Sequence, residues 1–191
     1  MTKSNRNNNL VTATFDDPKD ADRATDAVVD QAGYDHDDVT VLMSEELQDK
    51  HYSDDTVEAE EGEGEGNMAA EGAGVGGATG GTIGGIAGAL LAAGGVVLLP
   101  GIGLAISGPL AAALAGAGTG GAAGSIIGAL AGAGIPEERA KRYKKDIEEG
   151  HIVLGVHPKS ETDARQIIKK WKKLGAYRID SGKYNFEPTT I

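Results

Sequence analysis

Four histidines, His36, His51, His151 and His157, are the first residues to test for chemistry, since imidazole serves as general base and metal ligand. His151 and His157 bracket one apolar run. At about 3.3 Å per residue they stand roughly 20 Å apart, too far to share a metal, and they are expected at the surface ends of a strand. His36 lies among Asp35, Asp37 and Asp38, which reads as a solvated turn. Gly72, Gly74 and Gly77 fit G-x-G-x-x-G, as do Gly116, Gly118 and Gly121. A dinucleotide site also needs a strand just before the glycines and an acid about 20 residues beyond them, and neither match has the acid. No Gly-Lys-Ser/Thr follows, so a phosphate loop is excluded. Thr79, Thr82, Ser107, Thr119 and Ser125 have no histidine or acid in their stretch to activate them; bonds to helix carbonyls are the expectation. The acidic run before Asn67 lacks the alternating oxygen ligands of a calcium loop. No catalytic residue, cofactor or metal is therefore predicted, and the chain is not expected to be an enzyme.

Charge bounds the partners. Residues 1–71 carry a net −15 and residues 137–191 a net +4, within a chain of −11. A strongly acidic first part argues against nucleic acid, because phosphate contacts need basic surface. Lys169, Lys170, Lys172 and Lys173 surround Trp171, and the favoured outcome is a solvated helix face with Trp171 in the core. Cysteine is absent, which removes disulfides and thiolate chemistry. The polar start MTKSNRNNN has no apolar h-region, so no secretory signal is expected.

The elements that must position these residues are organised around an uncharged stretch between Glu71 and Glu137. Gly72, Gly76, Gly80, Gly84 and Gly88 recur every four residues. Gly116, Gly120, Gly124, Gly128 and Gly132 repeat the row. This spacing keeps each row on one slowly drifting helical stripe, a glycine zipper written twice. The spacing predicts one helix over about Met68 to Leu99 and another over about Pro109 to Gly134, joined by the breaker-rich PGIGLAISGP. Glycine costs roughly 1 kcal/mol relative to alanine inside an exposed helix, so neither helix is expected to stand alone. Close packing of the glycine faces into a helical hairpin would make them viable, with Cα–H···O contacts across the seam. Ile83, Ile86, Leu90, Leu91, Leu110, Leu114, Ile126 and Leu130 would then need lipid or other subunits.

The flanks read as α and β. Leu10 to Phe15 alternates as a strand. Asp17 caps a helix that Pro18 opens and Gly33 closes. Val39 to Met43 is a second strand, and a short helix is expected over Ser44 to Tyr52. Pro136 opens a further helix with Glu137–Lys141 and Glu138–Arg142 at i,i+4 spacing. Ile152 to Val156 is the most apolar strand. Ser160 caps an amphipathic helix carrying Ala164, Ile167, Ile168, Trp171 and Leu174, and a last edge strand follows Gly175. The predicted fold class is α+β: a ferredoxin-like split βαβ domain interrupted by the long Gly/Ala-rich helical hairpin. Residues 1–52 form its first half, 53–67 an acidic flexible linker, 68–135 the glycine-zipper hairpin, and 136–191 a helix plus the second half.

Several stretches carry a resemblance. FDDPKDADRA, DDVTVLM, LLPGIG, GPLAAALAGA and, more specifically, GIPEERAKRY followed by EEGHIVLGVH are similar to bacterial proteins of the general stress protein 17M type. The resemblance runs roughly from Val11 to Leu174 and implies a link to stress conditions, with no catalytic residues to carry over. The acidic linker and the tail after Leu174 depart from that pattern.

Two functions compete. The hairpin inserts into or associates with a membrane, where about 20 apolar residues span the bilayer and the basic residues after Pro136 stay on the cytoplasmic side. In the alternative, packed hairpins hold together a soluble homo-oligomer. The absence of Trp or Tyr at either hairpin end speaks for the second, but membrane association is the leading expectation. The expected partners are membrane lipid or other copies of the chain, and the expected place is the cytoplasmic face of the inner membrane, or the cytoplasm for a soluble assembly.

Overall fold

The computed structural model describes residues 9–52, 96–99, 103–116, 125–132, 134–182 and 184. These form an α+β fold around a six-stranded antiparallel sheet. In chain order the elements are β1 (Val11–Phe15), α1 (Pro18–Ala32), β2 (Val39–Ser44), α2 (Glu45–Tyr52), β3 (Val97–Leu99), β4 (Leu104–Ser107), α3 (Pro109–Gly116), α4 (Ile126–Gly132), α5 (Glu137–Glu148), β5 (Ile152–Val156), α6 (Glu161–Lys173) and β6 (Arg178–Asp180). The sheet order is β3-β4-β2-β5-β1-β6.

Local chemistry sets the helix ends. Asp17 accepts a hydrogen bond from the Lys19 amide at 2.8 Å, and Gly33 closes α1 with φ 68°. Ser160 Oγ accepts from the Asp163 amide at 3.1 Å. Each such N-cap is worth about 1 kcal/mol over alanine.

The pleat then divides the strands between two layers. Val11, Ala13, Phe15, Val39, Val41, Met43, Ile152, Leu154 and Val156 face α1 and α6, where Ala21, Ala24, Val28, Ile167 and Trp171 meet them. Trp171 is fully buried, edge-on to Phe15 with ring centroids 6.4 Å apart, and its Nε1–H donates to the Ala24 carbonyl at 3.0 Å. Leu42, Leu104, Ile106 and Val153 face the opposite way, onto Leu110 of α3, Ile126 and Leu130 of α4, and Ala140, Tyr143 and Ile147 of α5. With helices on both sides the central strands are buried on both faces, which is why β5 reads as a continuous apolar run.

The middle of the uncharged stretch corrects the sequence expectation. Val97–Leu99 is a strand rather than the end of a long helix, and the expected helix–helix connection contains strand β4. The pair forms a β-hairpin docked on the edge of β2, with Leu42 opposite Ile106 and Leu98 opposite Ala105. The physical cause is alternation. Leu104 and Ile106 bury on one face and Ala105 on the other, while Gly103 takes φ 63° to allow the turn. The Glu45 amide donates to the Gly103 carbonyl at 3.0 Å, fixing this turn to the start of α2. The centre of the stretch is therefore part of the sheet and not a tip far from it. Leu110, Ile126 and Leu130, expected to need lipid or subunits, are instead core residues.

Gly108 makes the tightest approach in this region. It has φ 75°, and a Cβ there would lie 2.2 Å from the Val39 carbonyl oxygen. Gly150 has φ 84° but open space around it. Gly108→Ala is expected to cost about 3 kcal/mol or more, from backbone strain plus overpacking, whereas Gly150→Ala costs about 1–2 kcal/mol from the left-handed conformation alone. Urea midpoints of the two variants test this; equal losses would place Gly108 wrongly.

Candidate functional site

The densest polar cluster lies between β1, α5 and β6. It begins with the alternation of β1: Thr12 and Thr14 occupy the face opposite Val11, Ala13 and Phe15, so two hydroxyls point at α5. Four residues of α5 at helical spacing answer them. Tyr143 meets Thr12 and is backed by Arg139, while Asp146 meets Thr14 and Ile147 packs alongside in the apolar core.

Tyr143 Oη accepts from Arg139 Nε at 3.1 Å and from Nη2 at 2.9 Å. That fills its lone pairs, so its own proton goes to Thr12 Oγ1, 2.6 Å away. Burial pushes the Tyr143 phenol above its ordinary pKa, with Arg139 opposing, so the ring stays neutral. Arg139 is itself buried and also donates to the Leu10 carbonyl at 3.1 Å. Its Nε lies 3.1 Å from Asp180 Oδ2, and Arg142 reaches the same oxygen at 3.0 Å.

Asp146 has no exposed surface. Arg178 Nη1 donates to both its oxygens, at 2.7 and 2.9 Å, and Thr14 donates to Oδ2 at 3.0 Å. Arg178 Nη2 also donates to Tyr177 Oη at 2.6 Å, and its guanidinium lies over that ring. Arg178 and Asp180 both belong to the three-residue β6, so these ion pairs fasten a short edge strand to α5.

Next to this network, Asp146, Glu149 and His151 place one potential ligand atom each within 4.8 Å of one another. They are the residues among those described that could hold a metal. His151 Nε2 lies 3.5 Å from Asp16 Oδ1, and the Tyr177 ring sits 5.6 Å from the imidazole centroid.

The other candidates fall elsewhere. Of the helix-packing glycines, Gly116 ends α3, and Gly128 and Gly132 lie in α4. A Cβ on Gly132 would meet nothing within 4 Å. Gly72, Gly76, Gly80, Gly84, Gly88, Gly120 and Gly124 lie outside the described residues. Lys169, Lys172 and Lys173 are exposed around a buried Trp171, as the solvated-face expectation holds. On α5, Lys141 pairs with Glu137 at 2.9 Å, Lys145 with Glu149 at 3.6 Å, and Lys144 with Glu148. Arg142 turns to Asp180 rather than to the expected Glu138. Among the described residues no hydrogen bond joins a serine or threonine hydroxyl to a histidine. An open depression beside α2 is lined by Ser44, Glu45, Glu46, Asp49, Lys50 and Gly103. No described helix is long and apolar enough to cross a membrane.

The sequence reading missed the Thr12–Tyr143–Arg139 and Thr14–Asp146–Arg178 groups. Their signal was present: threonines alternating with apolar residues in β1, and an Arg, Tyr and Asp on the same stripe of α5 as Ile147. No protein-family model, curated protein or solved structure matches the chain.

Two measurements probe this region. Arg178→Leu strands the buried Asp146 carboxylate and is expected to cost about 3–5 kcal/mol of stability, while Lys141→Ala, which removes an exposed pair, leaves the urea midpoint within error. Equal losses would show the buried pair to be dispensable. At the far end of β5, burial lowers the His157 pKa, with Asp38 opposing. The folded state thus holds His157 neutral while the unfolded chain takes up a proton near pH 6.5, so stability is lost as pH falls below that value and unaffected above it. His157→Gln is expected to lose less stability between pH 7 and pH 5 than the parent. Parallel pH profiles would remove His157 from the account.

Proposed function

We propose that the chain is a non-enzymatic, stress-associated bacterial protein whose glycine-zipper stretch works by association, and that other copies of the chain are its partner. In this reading the core is a ferredoxin-like split βαβ domain. Its support is the order β2-β5-β1-β6, with α1 following β1 and α6 following β5 on one shared face. The stress assignment rests on the resemblance carried by GIPEERAKRY and EEGHIVLGVH.

One observation carries the choice of partner. The centre of the uncharged stretch, β3 and β4, pairs with β2, and α3 and α4 supply Leu110, Ile126 and Leu130 to the core. A two-helix membrane hairpin over 68–135 would have to strip both strands from the sheet and expose those side chains. Packing the glycine row 72–88 of one copy against that of another leaves the sheet intact, and small residues let such backbones approach closely.

Membrane association is the second reading. It is favoured by the run from Gly72 to Pro136, which has no charge to desolvate. The cations of α5 support it less than the sequence suggested, since they pair with acids of the same helix or with Asp180.

Light scattering on the detergent-free high-speed supernatant tests the proposal. The parent is expected to run as a multiple of its 19.5 kDa chain, and Gly84→Leu and Gly124→Leu to reduce that multiple. A parent that pellets with membranes selects the second reading. A monomeric parent in the supernatant refutes both.

A further inference from the structure

The C-terminal turn of α5 gathers three metal-ligating side chains that the network around Asp146 does not fully use. Gly150 takes φ 84°, and the His151 amide donates back to the Asp146 carbonyl at 2.9 Å. That closure folds His151 against Asp146 and Glu149, and the three ligand atoms fall within 4.8 Å of one another.

One nitrogen of this arrangement is left without a partner. His151 Nδ1 is buried and has no hydrogen-bond partner. Leaving such an atom unsatisfied costs about 1–3 kcal/mol. Asp16 Oδ1 lies 3.5 Å from Nε2, and Glu149 Oε2 lies 4.0 Å from Nδ1, so a neutral imidazole with its proton on Nε2 would turn a lone pair toward Glu149. Lys145 lies against the other Glu149 oxygen, at 3.6 Å from Oε1. Asp146 Oδ1 accepts one hydrogen bond, from Arg178, and keeps a free lone pair. His151 Nδ1 and one free lone pair on each carboxylate thus converge, while Arg178 and Lys145 offset the two carboxylate charges from outside the cluster.

We propose that Asp146, Glu149 and His151 bind a first-row transition-metal dication through His151 Nδ1 and one oxygen of each carboxylate. One imidazole nitrogen with two carboxylates suits a borderline ion such as Zn²⁺ or Co²⁺ better than Mg²⁺, which prefers oxygen alone. Arg178 neutralises Asp146, so Glu149 supplies the remaining negative ligand. Asp16 is a positioning residue: a carboxylate on the far nitrogen orients a ligating histidine and raises its basicity. The site fastens the end of α5 to the start of β5, so its role is structural or sensory rather than catalytic. The inference does not depend on the association proposed above.

The test uses the untagged full chain with Co²⁺ and Zn²⁺ as probes. Calorimetry is expected to find one equivalent bound, at least tenfold weaker in His151→Gln and in Glu149→Gln, and about tenfold weaker in Asp16→Asn. His51→Gln, at an exposed histidine away from the site, is expected to bind as the parent does. Zn²⁺ should raise the thermal midpoint of the parent more than that of His151→Gln, because a ligand of the folded state stabilises by mass action. Circular dichroism checks that each variant folds, and Glu149→Gln, at an exposed position, stands in should His151→Gln fail to fold. No binding by the parent, or binding and stabilisation that survive both His151→Gln and Glu149→Gln, overturns the proposal.

Discussion

A sheet whose central strands are buried on both faces must be covered twice, and every larger feature of this protein follows from how that is done. One cover is conventional. α1 and α6 follow directly from β1 and β5 and lay Val28, Ile167 and Trp171 over the alternating residues of the three central strands. The other cover has no such local source. It is assembled from α5 and from pieces of the uncharged stretch, α3 and α4, which bring Leu110, Ile126 and Leu130 onto Leu42, Ile106 and Val153. Without them the second face would expose a contiguous apolar surface larger than a lone soluble domain tolerates.

The same constraint is met differently at the two ends of the sheet. Over β4 and β2 the cover is hydrocarbon. Over β1 and β6 it is ionic: Thr12, Thr14 and the Arg139, Asp146, Arg178 and Asp180 groups take the place of apolar contacts. Buried ion pairs are weak net stabilisers, because desolvation offsets most of the attraction. Their value here is geometric. A three-residue edge strand has few ladder bonds to fix its register, and two charged residues from β6 that each find a specific partner on α5 exclude a one-residue slip.

Legibility in the sequence tracks how local the deciding physics is. The cap at Asp17, the stop at Gly33, the cap at Ser160 and the buried stripe ending at Trp171 depend on residues within a turn or two, and all were readable. β3 and β4 were not. Their identity depends on pairing with β2, far away in the chain, and a three-residue strand is too short to show a period. Pro100, Gly101 and Gly103 punctuate a loop and a hairpin equally well. The ionic cluster hid for a related reason. Arg139, Arg142 and Asp146 sit in a helix rich in i,i+4 charge pairs, so they read as solvent-facing. Only the placement of Thr12 and Thr14 across from them shows which charges are inside. Of the glycine rows, the described part is Gly116, Gly128 and Gly132, and the rest of each row carries no structural statement.

These features bear on how the glycine zippers can act. The uncharged stretch is not one uninterrupted helical hairpin, because its described parts, β3, β4, α3 and α4, join or cover the sheet. A zipper needs a facing backbone, and a covered helix can offer only the side turned away from the domain. In α4, Ile126 and Leu130 are committed to the core, while a Cβ on Gly132 would meet open space. Association through Leu110, Ile126 and Leu130 would cost the sheet its second cover, a cost that the association proposed for the glycines avoids.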